Sequence, residues 1–311
     1  EAVAATGGLG DFAVDDVKFL NQDDRTDWGS TADSEVQAVT DGSRDVAGNR
    51  PGECLVTLFG LASGASPEEM AVTVAHEYFH CLQYATFSEG QMGSYSDGGA
   101  WWIEGAAEYF SAVAVSGSIP FTGRAAEFDA AVASEVPLHD MAHESAPFFF
   151  WLGETYDLAK LMEFQHAMAA GGGTSSQRAA MRGALSGGEW LDFAKAYADS
   201  AIGHPQGGSL GLVPDFPPRL QVEGPGTAEL SLVPFALYLG TISYSCSVWG
   251  NRLTPADANL VLRQNEGAWA PWPEATDARE TGSLEYQAVG LHTGDDDLGL
   301  GAHALCKGLP R

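Results

Sequence analysis

The stretch that decides the reading of this chain is Met70–Phe87, MAVTVAHEYFHCLQYATF. It follows Ser66-Pro67-Glu68-Glu69, which has the marks of a helix start. Serine caps the first amides, proline suits the first helical position, and acids in the first turn face the positive end of the helix dipole. Apolar residues then fall nearly all round the helix (Met70, Val72, Val74, Phe79, Leu82), so it is expected in the core. His76, Glu77 and His80 interrupt that apolar surface. Burying such groups is costly unless they are paired or hold a metal. Residues i and i+4 share a helix face, so both imidazoles can reach one ion with Glu77 beside it.

A second stretch, WWIEGAAEYF at 101–110, follows after a short connection. Read as a helix with Asp97 as N-cap and Gly117 just past its end, it puts Glu104 and Glu108 one turn apart on one face. Zinc in hydrolases takes three protein ligands and keeps a fourth position open. Glu104 is therefore the expected third ligand after His76 and His80. Glu108 is the expected acceptor for a ligand-histidine N–H. Glu77 is the expected general base, taking a proton from the attacking water and returning it to the leaving amine. Gly105, Ala106 and Ala107 are small, which would let this helix approach the first closely.

HEYFH followed by WWIEGAAEY resembles the gluzincin class of zinc metallopeptidases. The W-x-E-G-x-A-E-Y wording is most similar to the aminopeptidase and bacterial collagenase types. The motifs lie within residues 66–117, with a fainter likeness through AHESAPFFFWLGETYD at 142–157. By position, the resemblance implies His76, His80 and Glu104 as Zn²⁺ ligands, Glu77 as base and Glu108 behind a ligand. It implies an α+β fold with a gluzincin-like catalytic core, a small β lobe facing a helical lobe. It also implies a sheet edge offered to the substrate backbone, for which ECLVTLFGL at 53–61 is the candidate. Where aminopeptidase-type relatives carry an oxyanion-stabilising tyrosine, this chain reads Asp140-Met141-Ala142-His143-Glu144-Ser145. His143 or His139 is the expected replacement, with Tyr95 or Tyr109 approaching from the other side. No segment in 1–65 matches the amine-capturing GxMEN-type loop of aminopeptidase relatives, which favours an endopeptidase. The alternative from another class is a non-catalytic metal-binding scaffold or adhesion protein on the same fold.

Charge narrows the partners. The chain has 42 Asp+Glu against 15 Lys+Arg, a net charge of −27 over 311 residues. Such a surface repels nucleic acid and anionic membranes, which argues against both as partners. A protein or peptide substrate is what the resemblance implies. Apolar content of 45% excludes disorder as the default. The uncharged run Leu230–Gly250 is interrupted by Pro234 and Gly240 and alternates, so it reads as paired strands rather than a membrane span. Cys54, Cys81, Cys246 and Cys306 form two separated pairs. Secretion would suit Cys54–Cys81 and Cys246–Cys306 disulfides, although four cysteines allow three pairings and buried thiols are the competing reading. A start at Glu1, with neither methionine nor targeting segment, reads as a mature secreted form.

Three segments are expected: an N-terminal β-containing lobe at 1–65, a helical metallopeptidase core at 66–203, and a C-terminal β-rich, sandwich-like module at 204–311. The last opens on the Gly/Pro-rich stretch 204–220. Asp295-Asp296-Asp297 admits a Ca²⁺ loop, though three adjacent acids in a turn are usually only solvated.

Overall fold

The computed structural model describes residues 17–22, 38–44, 51–59, 66–115, 122–171, 173–222, 226–244, 249–251, 258–264, 266–271, 275–276 and 284–304. The fold is mixed α+β. Strands β1 (Val17–Gln22), β2 (Ala38–Arg44) and β3 (Pro51–Phe59) form one sheet in the order β1-β3-β2. Helices α1 (Pro67–Thr86), α2 (Glu89–Gly93) and α3 (Ala100–Ala114) follow, then α4 (Thr122–Ala133), α5 (Ala146–Thr155), α6 (Leu158–Ala167), α7 (Gly173–Ala184) and α8 (Gly187–Ala198). Strands β4 to β12 all fall between Pro218 and Ala304 and make a four-stranded and a five-stranded sheet.

Two compact units emerge. The first comprises residues 1–121, 142–173 and 203–208, and the second 122–141, 174–202 and 209–311. This departs from the expected three segments. The N-terminal sheet joins the helices that follow it, and the stretch 66–203 is shared between both units. In the second unit α8 packs on β8 (Ala258–Arg263) and β11 (Leu284–His292), and so belongs with the strands. The uncharged run 230–250 forms strands where it is described: β5 (Gly226–Leu232) ends in it, and β6 (Leu237–Tyr244) pairs antiparallel with β11. Among the described residues, no helix is long and apolar enough to cross a membrane.

Helix α1 starts as its sequence requires. Ser66 Oγ accepts from the Glu69 amide at 3.2 Å, and Glu69 Oε2 accepts from the Ser66 amide at 2.7 Å. Helix α3 differs from expectation. Gly99 is its N-cap, without a side-chain cap bond, and Val115 ends it. Asp97 instead accepts from the Gly173 amide at 3.0 Å. The chain turns between them through Gly98, whose φ of +80° is a left-handed conformation that glycine tolerates. Gly117 lies outside the described residues.

Helix α3 is buried along most of its length and packs on α1, where Phe79 stacks on Phe110 with ring centroids 4.7 Å apart. Trp101 of α3 lies against Phe148 and Phe149 of α5 and Phe164 of α6. Gly105 serves a different approach from the one its size suggested. A Cβ there would stand 2.3 Å from Ser145 Oγ and 2.6 Å from the Phe149 ring, so the bare position admits the chain entering α5.

A disulfide joins Cys54 of β3 to Cys81 of α1, and both residues are fully buried beside Val56. It fastens the histidine-bearing helix to the central strand of the sheet. Cys246 and Cys306, the other expected pair, lie outside the described residues. The placement of β3 also corrects the expected substrate edge. It pairs with β1 on one side and β2 on the other, so residues 53–59 have no free edge among the described residues; β2 is the edge strand beside α1.

Candidate metal centre

Three elements of the first unit bring the polar groups together. One turn of α1 separates His76 from His80, and Glu104 comes from the facing helix α3. His143 opens a short 3-10 turn before α5. That turn is held against α3 by Ser145, whose buried hydroxyl has the carbonyls of Trp101 (2.6 Å) and Ala142 (2.7 Å) as acceptors. The groups line a cavity of about 370 Å³ with Thr40, Tyr84, Met92, Tyr95 and Ile103.

The distances are short enough for the groups to share one ion. His76 Nε2 lies 3.0 Å from Glu104 Oε2 and 3.1 Å from His80 Nε2, and His80 Nε2 lies 3.4 Å from the same carboxylate oxygen. Ligands about 2.0–2.1 Å from a tetrahedral ion stand about 3.3–3.4 Å apart, so the triangle fits such an ion with only slight expansion. His76, Glu104 and His143 also form a group whose ligand atoms all lie within 4.8 Å, which could hold a metal ion. His143 Nδ1 is 3.4 Å from Glu104 Oε2 and 3.1 Å from Glu108 Oε1.

Electrostatics favour a positive charge at this point. Burial disfavours charge on His80, but Glu104, Glu77 and Gln83 together outweigh it and raise the imidazole pKa to about 9. Burial likewise pushes the Glu104 carboxyl up, and the facing His80 and His76 overcome it, holding the acid well below the ordinary carboxylate range. Tyr95 titrates above its usual range, through burial first and the adjacent Glu104 carboxylate second.

Glu77 lines the same cavity, and its carboxylate is held from the sheet. Thr40 Oγ1, on β2, lies 2.6 Å from Glu77 Oε2 and 3.1 Å from the Glu77 carbonyl. Glu108, expected behind a ligand histidine, stands near two candidates for that role. Its Oε1 accepts from His143 Nδ1 and lies 4.0 Å from His76 Nδ1, so its nearer partner is His143.

Of the oxyanion candidates, His143 and Tyr95 line the cavity and two others do not. Tyr109 donates its hydroxyl to Glu154 at 3.1 Å and packs where Gly153 leaves room. His139 belongs to the second unit, where its Nε2 accepts from Arg178 Nε at 3.2 Å. The Asp295 carboxylate is likewise engaged with Arg182 at 2.6 Å, and its carbonyl with Arg178 at 2.9 Å. Two guanidinium groups at that turn oppose a Ca²⁺ ion there.

Two contributors were not singled out from the sequence. Thr40 is 37 residues from Glu77 and carries no local signal. Gln83, one turn beyond His80 in an otherwise apolar helix, accepts from His80 Nδ1 at 2.7 Å. Its i+3 spacing was the available clue. Comparison of the chain with family models, with curated proteins and with solved structures finds no match.

Proposed function

We propose that this protein is a zinc-dependent metallopeptidase that cleaves peptide bonds within chains, with a gluzincin-like arrangement of helices α1 and α3. The observation that carries the reading is the triangle of His76 Nε2, His80 Nε2 and Glu104 Oε2, 3.0–3.4 Å on each side, with the Glu77 carboxylate beside it. These three residues would hold the ion, and a bound Zn²⁺ would supply Lewis acidity toward a carbonyl and toward water. Co²⁺ or Mn²⁺ could occupy the same donors, so zinc rests on the resemblance and the tetrahedral spacing.

The other residues have separable tasks. Glu77 takes the proton from the attacking water and passes it to the leaving amine, with Thr40 fixing which carboxylate oxygen is free. His143 and Tyr95 are the hydrogen-bond donors available to a developing oxyanion. Ala38 and Thr40 bring the edge strand β2 to the cavity, so an extended substrate would pair along β2. The disulfide suits a secreted enzyme, since such bonds persist in oxidising compartments. The two sheets of the second unit would form the sandwich-like module.

One observation favours a second reading. His143 groups with His76 and Glu104, its Nδ1 3.4 Å from Glu104 Oε2, and would become a fourth protein donor on giving up the Nδ1 proton it shares with Glu108. Four protein donors close a zinc site, and closed sites are structural. Metal content by mass spectrometry on the native protein and on Glu104→Ala, with casein hydrolysis in parallel, separates the cases. One zinc per chain with chelator-sensitive hydrolysis, both lost in the variant, supports the peptidase. Zinc without hydrolysis favours the closed, scaffolding site, and no zinc removes both.

A further inference from the structure

Gln83 is fully buried, and its two amide atoms meet partners on different helices. A backbone carbonyl can only accept, so the amide nitrogen must face Ile103 O, to which it donates at 3.0 Å. That leaves the amide oxygen facing His80 Nδ1 at 2.7 Å. An amide oxygen also only accepts, so Nδ1 keeps the hydrogen, and Nε2 is the nitrogen that carries the lone pair once the ring gives up its other proton. Nε2 is the atom turned toward His76 Nε2 and Glu104 Oε2. Ile103, at the other end of the bridge, immediately precedes Glu104. A single carbonyl on α3 thereby determines the amide orientation, the tautomer of His80, and the nitrogen that faces the centre.

We propose that Gln83 is a positioning residue of the metal centre, selecting Nε2 of His80 as ligand atom and holding α3, with Glu104, in register with it. The proposal rests on the metal reading above, and its test uses metal binding rather than hydrolysis. Zinc affinity is measured on the full chain by competition with a chromophoric chelator, alongside urea unfolding of the metal-free proteins. Gln83→Leu removes both bonds and is expected to weaken zinc binding by about 10–100-fold, the usual effect of removing a partner behind a ligand histidine. Gln83→Glu keeps an acceptor for Nδ1–H while opposing the Ile103 carbonyl. It is expected to regain most of the lost affinity although its metal-free form is less stable.

Nitrogen-15 spectra of zinc-loaded wild type give a second reading that needs no variant to fold. They should show His80 protonated at Nδ1 and metal-bound at Nε2. Ligation through Nδ1 overturns the proposal, as does a Gln83→Leu protein that binds zinc as tightly as wild type. Affinities of both variants that fall only in step with their metal-free stability also overturn it, since that is what a merely structural glutamine would produce. A wild type that takes up no zinc overturns the metal centre and this inference together, whereas undiminished binding by the variant overturns this inference alone.

Discussion

Two buried histidines in this molecule lie at opposite extremes. His80, in the first unit, is raised to a pKa of about 9, and His139, in the second, is lowered to about 4. Burial pushes both down, so the difference comes from their neighbours. His80 faces the buried Glu104 carboxylate, where low dielectric strengthens the attraction. His139 has only the half-exposed Asp140 carboxylate at 3.7 Å, while the Arg178 guanidinium repels a proton on the ring. One environment concentrates electron pairs and attracts a cation. The other keeps a neutral ring as an acceptor for arginine. A buried histidine therefore carries no functional meaning until its partners are known.

The sharpest way to break this contrast is Glu77→Gln. Loss of the positioned base should slow peptide hydrolysis by about 10²–10⁴-fold while zinc content stays unchanged. His139→Gln should leave the rate untouched, and a Glu77→Gln protein of normal rate would remove the base from the mechanism. Replacing Cys54 and Cys81 together probes how the first histidine is held. The cross-link spans 27 residues, and opening a loop of that size should lower stability by about 3.5 kcal/mol in urea unfolding. If the tether matters to the centre, zinc affinity falls as well; unchanged affinity would confine the disulfide to global stability.

The smallest effect concerns His139 and pH. Its folded pKa lies below the unfolded value of about 6.5, so between those values the unfolded chain binds the extra proton. Its contribution is complete above the unfolded value and is lost as pH falls toward the folded one. Between about pH 7 and pH 5 this one side chain should cost about 2 kcal/mol of stability. His139→Gln should flatten that part of the urea-midpoint profile. An equally steep profile in the variant would place the titration elsewhere.

Much of the candidate centre was legible because helical periodicity is local. The i, i+4 spacing of His76 and His80 and the matching pair Glu104 and Glu108 survive into the structure with the expected facing. The same arithmetic would have removed Tyr109. At about 100° per residue it lies about 140° around the helix from Glu104, and its hydroxyl goes to Glu154. What could not be read was anything depending on sheet order. Alternation marks β3 as a strand without saying whether it lies at an edge, and in the sheet it is central, with β1 and β2 at the edges. Thr40 was hidden for the same reason. His139 and His143 looked equivalent in one loop, yet the chain passes between compact units at Met141–Ala142 and separates them.

The bond between Cys54 and Cys81 has a consequence for motion. Cys81 directly follows His80, and β3, which carries Cys54, is the hydrogen-bonded neighbour of β2, which carries Thr40. The same small sheet therefore grips helix α1 twice, covalently beside His80 and through a hydroxyl at Glu77. Rotation of the helix about its long axis, the movement that would swing Glu77, His76 and His80 out of alignment with Glu104, must drag two adjacent strands with it. Sliding and twisting thus become displacements shared by helix and sheet, and the relative aim of Glu77 and His80 is preserved while the whole assembly moves.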